Sequence, residues 1–157
     1  MRANQVKHWK QEAITVTGIW SFYLNGKLVK REKNLVVTTG LGLIASLMAN
    51  DQTNDCSVHL AWGTGTTAAA AGDTTLEIEE DRKAITTRRS SGAVLEIRTF
   101  LLTTEGNGDW TEFGIFFVGT DDADSGTLLN RILPVGGVSK TILDTLTVEV
   151  EITFAAA

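Results

Sequence analysis

Alternating apolar and polar residues mark the last stretch of the chain, Asp144 to Phe154, as a β-strand. Successive side chains of a strand point to opposite faces, and here one face is apolar while the other carries threonine and glutamate. Such a strand is typical of an antiparallel sheet that covers a core from one side. A slip of one residue would turn the apolar face to water, so we expect a firmly set register. The apolar residues are Leu146, Val148, Val150, Ile152 and Phe154.

A β-hairpin is predicted near the start of the chain, over Ile14 to Arg31. A run of β-branched and aromatic residues precedes Asn25 and Gly26, and the apolar-basic run Lys27 to Arg31 follows. An Asn-Gly pair between two strand-like runs is a strong hairpin signal, because a type I′ turn needs a positive φ at both central residues. We expect Trp20, Phe22 and Leu24 to share one face of the first strand.

Helical spacing of apolar residues predicts one short helix, from about Gly40 to Ala49. Thr38 or Thr39 offers a hydroxyl for the N-cap. We expect the apolar stripe of this helix to cover an open face of the sheet. The residues of that stripe are Leu41, Ile44, Leu47 and Met48.

Short strand-like runs at hairpin spacing fill the rest of the chain. Together with the hairpin and the terminal strand they give seven to nine strands and one helix, which predicts a mainly β, antiparallel β-sandwich or barrel-like domain. The small-residue loop from Gly63 to Thr75 has no helix after its glycines, so it is not a dinucleotide-binding loop. The other runs are Ser57 to Trp62, Ala93 to Leu102, Trp110 to Val118 and Thr127 to Leu133.

Residues 1–13 are polar and lack a clean period, so they are predicted to form an extended N-terminal arm before a single β domain at 14–157. Residues 1–33 hold seven basic and two acidic residues, a balance of +5, which leaves −10 for the rest of a chain whose net charge is −5. This asymmetry fits contact with an acidic surface or simply a solvated charged face. Trp9 is the candidate anchor of the arm, and Arg2, Lys7 and Lys10 are candidate electrostatic guides.

The sequence allows two interpretations for each of two further features. The acidic run Glu79 to Asp81 and the basic pair Arg88 and Arg89 are predicted to pair with each other or with a neighbouring molecule. Phe100 and Phe116 lie on strands that carry apolar residues on both faces, so each belongs to the core or to a contact between subunits.

No residue pattern in the chain predicts catalysis or a cofactor. The two histidines, His8 and His59, lack the spacing of a zinc site, and Cys56 is the only cysteine. The cluster formed by Asp121, Asp122 and Asp124 does not match a calcium-binding EF-hand, and we interpret it as a solvated turn. The acidic net charge argues against nucleic acid as a partner, and no apolar run is long enough to cross a membrane. We therefore expect a protein that is not an enzyme.

Several segments together resemble a family of small virion proteins of tailed bacteriophages with a threonine- and glycine-rich β domain. The resemblance spans roughly residues 17–154. It rests on Asn34 to Gly40, Val58 to Asp73, Arg82 to Ala84, Thr111 to Phe116 and Lys140 to Phe154.

The resemblance implies a structural protein of the virion, made in the cytoplasm of the bacterial host. We expect a capsid decoration, or cement, protein that forms a homotrimer on the capsid exterior, binds the major capsid protein and ties subunits together with its arm. A tail-fibre or baseplate module, structural or receptor-binding, is the alternative. The family motifs contain no catalytic residues to assign here.

Overall fold

The computed structural model describes residues 13–50 and 57–157, and it contains eleven strands and one helix in these ranges. The prediction of a mainly β, antiparallel, barrel-like fold with one short helix is confirmed. The predicted arm lies almost wholly outside the described residues. The strands are β1 (Ile14–Leu24), β2 (Lys27–Val36), β3 (Val58–Gly63), β4 (Glu79–Ala84), β5 (Thr87–Ser91), β6 (Val94–Leu101), β7 (Gly108–Trp110), β8 (Glu112–Phe117), β9 (Thr127–Ile132), β10 (Val138–Lys140) and β11 (Leu146–Ala156), and the helix is α1 (Thr38–Met48).

The predicted N-terminal hairpin is confirmed, and it begins the larger sheet. Asn25 and Gly26 have φ angles of 51° and 78°, which are the left-handed values that this tight turn requires. β1 pairs with β2 on one side and, over its whole length, with β11 on the other. The predicted terminal strand is thus an interior strand of the sheet, held by β1 and β6 in one register.

Nine strands form one curled antiparallel sheet in the order β4-β3-β8-β9-β2-β1-β11-β6-β5, and β7 pairs with β10 in a small second sheet. β2 joins the two halves of the large sheet, because it pairs with β1 along most of its length and with β9 only through Leu35 and Val36. The two edge strands, β4 and β5, are separated in the chain by only Ile85 and Thr86. The chain thus crosses between the halves on both sides, and the sheet curls into a half-barrel.

Aromatic side chains from opposite halves of the sheet meet in the core. The ring of Phe22 on β1 lies 4.9 Å from the ring of Phe113 on β8, centroid to centroid, and Trp20 lies 6.3 Å from the same ring. All three side chains are fully buried. From β11 the core receives Leu146, Val148, Val150 and Ile152, as the alternating pattern predicts.

The helix begins two residues earlier than predicted, and the predicted hydroxyl cap is wrong. Val37 is the N-cap residue and makes no side-chain capping bond, because Thr38 and Thr39 already belong to the first turn. The Thr39 hydroxyl instead donates to the carbonyl oxygen of Leu128 on β9, at 3.0 Å. The threonine therefore fixes the helix to the sheet and does not cap it.

The predicted buried stripe of α1 is also largely wrong. Gly40 lies so close to β9 that a Cβ atom there would be 2.2 Å from the carbonyl oxygen of Leu129. This close approach turns Gly40 and Leu43 toward the sheet, and they are the buried residues of the helix. Leu41, Leu47 and Met48 of the predicted stripe are exposed, although Ile44 packs partly against the core.

We expect Phe22→Ala to lower the free energy of unfolding by about 3–5 kcal/mol, since it removes a ring from the centre of the core and leaves a cavity. Thr17→Ala, at an exposed position of the same strand, should change it by less than about 0.5 kcal/mol. Urea denaturation of both variants measures the difference. Equal losses in the two variants would mean that the contacts of Phe22 across the half-barrel do not form.

Candidate interaction surface

The loop between β3 and β4, residues 64–78, folds over the outer face of β3, β8 and β9, and we call it the flap. Leu76 of the flap packs there with Phe116 and Leu128, in an apolar cluster separate from the main core. Gly114 on β8 makes room for Leu76, because a Cβ atom on Gly114 would lie 2.9 Å from a methyl group of that leucine. All six residues of β3 and all six of β8 are therefore buried.

Glu112, the first residue of β8, holds the flap from beneath. Its carboxylate is fully buried and accepts hydrogen bonds from the backbone N–H groups of Gly65 (3.0 Å), Glu77 (3.0 Å) and Ile78 (2.7 Å). A buried carboxylate needs such donors, since burial without them is costly. Both ends of the flap are thus anchored to one side chain.

Arg131 on β9 supplies the positive charge that this buried carboxylate requires. Its Nε donates to Glu112 Oε2 at 3.0 Å, its Nη1 to Asp73 Oδ2 at 2.8 Å and its Nη2 to the carbonyl oxygen of Thr67 at 3.0 Å. Burial lowers the pKa of Arg131, but its bonds to Asp73 and Glu112 raise the pKa by more, so the guanidinium stays charged. We call Glu112, Arg131 and Asp73 the flap clasp.

A second buried cation, Arg82 on β4, ties down the loop between β8 and β9. It makes a two-bonded ion pair with Glu79, at 2.5 Å and 2.8 Å, and donates to the carbonyl oxygens of Thr120 and Ser125. Its guanidinium also lies 4.6 Å from the centre of the Phe116 ring. Arg82 therefore fixes β4, the outer cluster and this loop to one another.

In the ion pairs that the structure describes, members of the acidic run and of the basic pair bind other residues and not each other. Glu79 pairs with Arg82, three residues away, and Arg89 pairs with Glu96 on β6. Each of these two ion pairs joins residues of one strand or of two paired strands.

The structure separates the predicted contact residues. Phe116 is fully buried beneath the flap and Arg82, so it presents no surface to another subunit. Phe100 is half-buried on β6 and stays a candidate contact. The predicted arm residues Arg2, Lys7, Trp9 and Lys10 lie outside the described residues.

The buried polar side chains of the described ranges mostly hold loops and strands to one another. His59 is buried on β3, and its Nε2 lies 3.2 Å from Asp121 Oδ1, but the Asp121 side chain is 92% exposed. In residues 13–50 and 57–157, no three His, Cys, Asp or Glu side chains are placed to hold a metal ion. Glu112 and Arg131 are engaged by backbone groups and by each other, and Arg82 is engaged by Glu79 and by backbone carbonyl groups.

Large exposed apolar side chains lie at both ends of the half-barrel, and others lie along it, such as Ile78 in the flap and Val135 beside β2. At the terminal end, where β1 begins and β11 finishes, Ile14 is exposed on β1, and Met48, 82% exposed, lines a groove with Phe154 of β11. At the opposite, turn end, Ile142 and Leu143 project from the loop before β11, and Leu143 is 85% exposed. That loop is held firmly, since Asn25 Nδ2 donates to Asp144 Oδ1 at 2.8 Å. Exposed apolar groups on rigid supports suit contact with a partner.

Comparisons with known proteins return no relative. No family model, no curated protein and no solved structure matches the chain. Separately, no helix in the described part of the chain is long and apolar enough to span a membrane.

The sequence analysis missed the flap clasp, although a signal for it was present. Arg131 is the one charged residue of the run Thr127 to Ile132, and Glu112 begins the apolar strand β8. A charged residue inside a buried strand is rare unless it is paired. Two such residues of opposite charge on neighbouring strands predict a buried ion pair.

We expect Glu112→Gln to lower the free energy of unfolding by about 3–5 kcal/mol, because it leaves Arg131 buried without its fully buried counter-charge. The exposed pair partner Glu149→Gln is the matched control and should cost less than about 1 kcal/mol. Amide hydrogen exchange gives a second readout, in which Gly65 and Ile78 lose protection before the core strands do. Unchanged exchange at these two amides would contradict the role assigned to Glu112.

Acid should release the flap before it unfolds the half-barrel. Burial raises the pKa of Asp73, but bonds from the Ala70 N–H and Arg131 lower it by more, and bonds from Thr67 lower the pKa of Glu77. A carboxylate with a lowered pKa stabilises the fold above its unfolded pKa, and that contribution is lost as the pH falls through the folded value. We therefore expect the protection factors of the flap amides to fall below about pH 4, and this loss should shrink in Asp73→Asn. An acid response that is the same in this variant would exclude Asp73 as its cause.

Proposed function

We propose that this chain is a structural protein of a bacteriophage virion, and specifically a capsid decoration protein that binds the outer shell as a homo-oligomer and stabilises it. The observation that carries this proposal is the pair of exposed apolar ends on a half-barrel whose buried charges hold its own loops. Such a body is built to be rigid and to present surfaces to partners.

The resemblance to phage virion proteins supports the same proposal. Its segments meet in space, because Val58 to Asp73 forms β3 and most of the flap, and Thr111 to Phe116 brings Glu112 beneath the flap. The matching segments are thus those that shape the domain. Stabilisation of the shell then follows from mass action, since a protein that binds the assembled lattice better than its loose subunits favours assembly.

Many weak contacts add up in this arrangement. A trimer that docks where coat subunits meet engages several sites at once, so its avidity exceeds the affinity of one contact. The basic arm residues Arg2, Lys7 and Lys10 guide the chain to an acidic neighbour, and Trp9 anchors it. The partners are the major capsid protein and further copies of this chain.

Copy number per particle tests the proposal. Quantitative mass spectrometry of purified particles should find about one copy of this chain for each copy of the major capsid protein. Deletion of residues 1–13 should leave the circular dichroism of the domain unchanged and reduce occupancy on capsids, whereas Lys27→Ala in the body should leave occupancy unchanged.

Other copy numbers or occupancies would contradict the proposal or part of it. A few copies per particle, in threes or sixes, would assign the chain to the tail fibre or baseplate. Its absence from particles would refute a virion role, and full occupancy without residues 1–13 would refute the role of the arm.

A further inference from the structure

An apolar groove opens at the terminal end of the half-barrel, between α1 and the ends of the strands. Its volume is about 280 Å³, and every described residue that lines it is apolar. Ile44, Leu47 and Met48 of α1 form one wall, and Phe154 of β11 and Leu95 of β6 form the other. Because Gly40 and Leu43 take the buried positions of α1, the later apolar residues of the helix are left facing this groove.

The groove is large enough for an aromatic ring and unsuited to a polar ligand. It offers almost no polar surface, so binding there rests on the burial of apolar area, and a tryptophan buries about 150–250 Å². Met48 and Leu47 at its rim are exposed, so an occupant would cover them and gain further contact.

The chain enters the half-barrel at the rim of this groove. Ala13 accepts a hydrogen bond from the N–H of Ala157 at 2.9 Å, and Val16, three residues further on, pairs with Phe154 of the groove wall. From the strand spacing, Ala13 is about 11 Å from Phe154. An extended chain spans at most about 3.3–3.6 Å per residue, so Trp9 can reach that far from Ala13.

Of the two segments outside the described residues, only the first offers a matching side chain. Residues 51–56 also join the body at this end, but their sequence is Asp-Gln-Thr-Asn-Asp-Cys. Residues 1–12 contain Trp9 and Val6. A group tethered this closely has an effective concentration in the millimolar range, which favours the groove of its own chain over that of a second copy.

We infer that in the free protein residues 1–12 fold back over the terminal end and place the indole of Trp9 in the groove between α1 and β11. The inference goes beyond the proposed function and does not depend on it, because it concerns the isolated chain. The groove is then a binding site for a segment of the same chain, and Trp9 is its ligand.

Fluorine NMR of the full chain labelled with 5-fluorotryptophan tests this. The chain has four tryptophans, and Trp9→Phe assigns the Trp9 signal. In the wild type, the chemical shift of that signal should differ from the chemical shift of free fluorotryptophan. The signal should also be protected from broadening by a soluble paramagnetic agent. Met48→Asp, at the groove rim, should remove the shift and the shielding. Leu143→Asp, equally exposed at the opposite end, should leave both unchanged.

Three outcomes would overturn the inference. A Trp9 signal that is as accessible as free fluorotryptophan would show that the ring is not docked. A docked signal unaffected by Met48→Asp would place the ring elsewhere. Shielding that disappears on dilution, as the chain passes from dimer to monomer in light scattering, would assign the groove to the arm of a second copy. None of these results depends on copy number in particles, so the two proposals fail separately.

Discussion

The ion pair between Glu112 and Arg131 is the contact on which the outer half of the molecule depends. Two charges are buried between a sheet and a loop, which is favourable only when the geometry satisfies both groups. Here three backbone N–H groups donate hydrogen bonds to the carboxylate of Glu112, while Asp73 and the Thr67 carbonyl accept hydrogen bonds from the guanidinium of Arg131. The flap can then lie flat on the sheet, and the strands beneath it become buried on both faces. Without the pair, the apolar cluster around Phe116 would face water.

Closure of the sheet leaves the domain with two ends, and each end carries exposed apolar residues. β2 bridges the halves on one side, and Ile85 and Thr86 carry the chain across on the other. The sides of the half-barrel are covered by the flap or carry ion pairs such as Arg31 with Glu151, which are exposed and contribute little to stability. Among the described residues, exposed apolar side chains stand beside the groove at the terminal end and at the turn end, where they are Ile142 and Leu143.

Local patterns predicted the parts of the fold that local chemistry decides. The alternation in β11 and the Asn25-Gly26 turn each specify a conformation within a few residues, and both are confirmed. The face of α1 was predicted wrongly, because its orientation is set by the approach of Gly40 to Leu129, a residue far away in the chain. The flap was missed for the same reason, since Gly65 binds Glu112, 47 residues later. Which loop a buried charge will hold cannot be deduced from spacing.

If the arm docks on its own chain, it covers apolar surface at one end of the half-barrel and leaves the other end exposed. Trp9 in the groove covers the rim of the terminal end, and the basic residues beside it, Lys7 and Lys10, are carried there too. The turn end then remains as the large uncovered apolar surface, presented by a loop that Asn25 and Asp144 hold in place. The described residues place these two apolar surfaces at opposite ends, so a contact at one end leaves the other accessible.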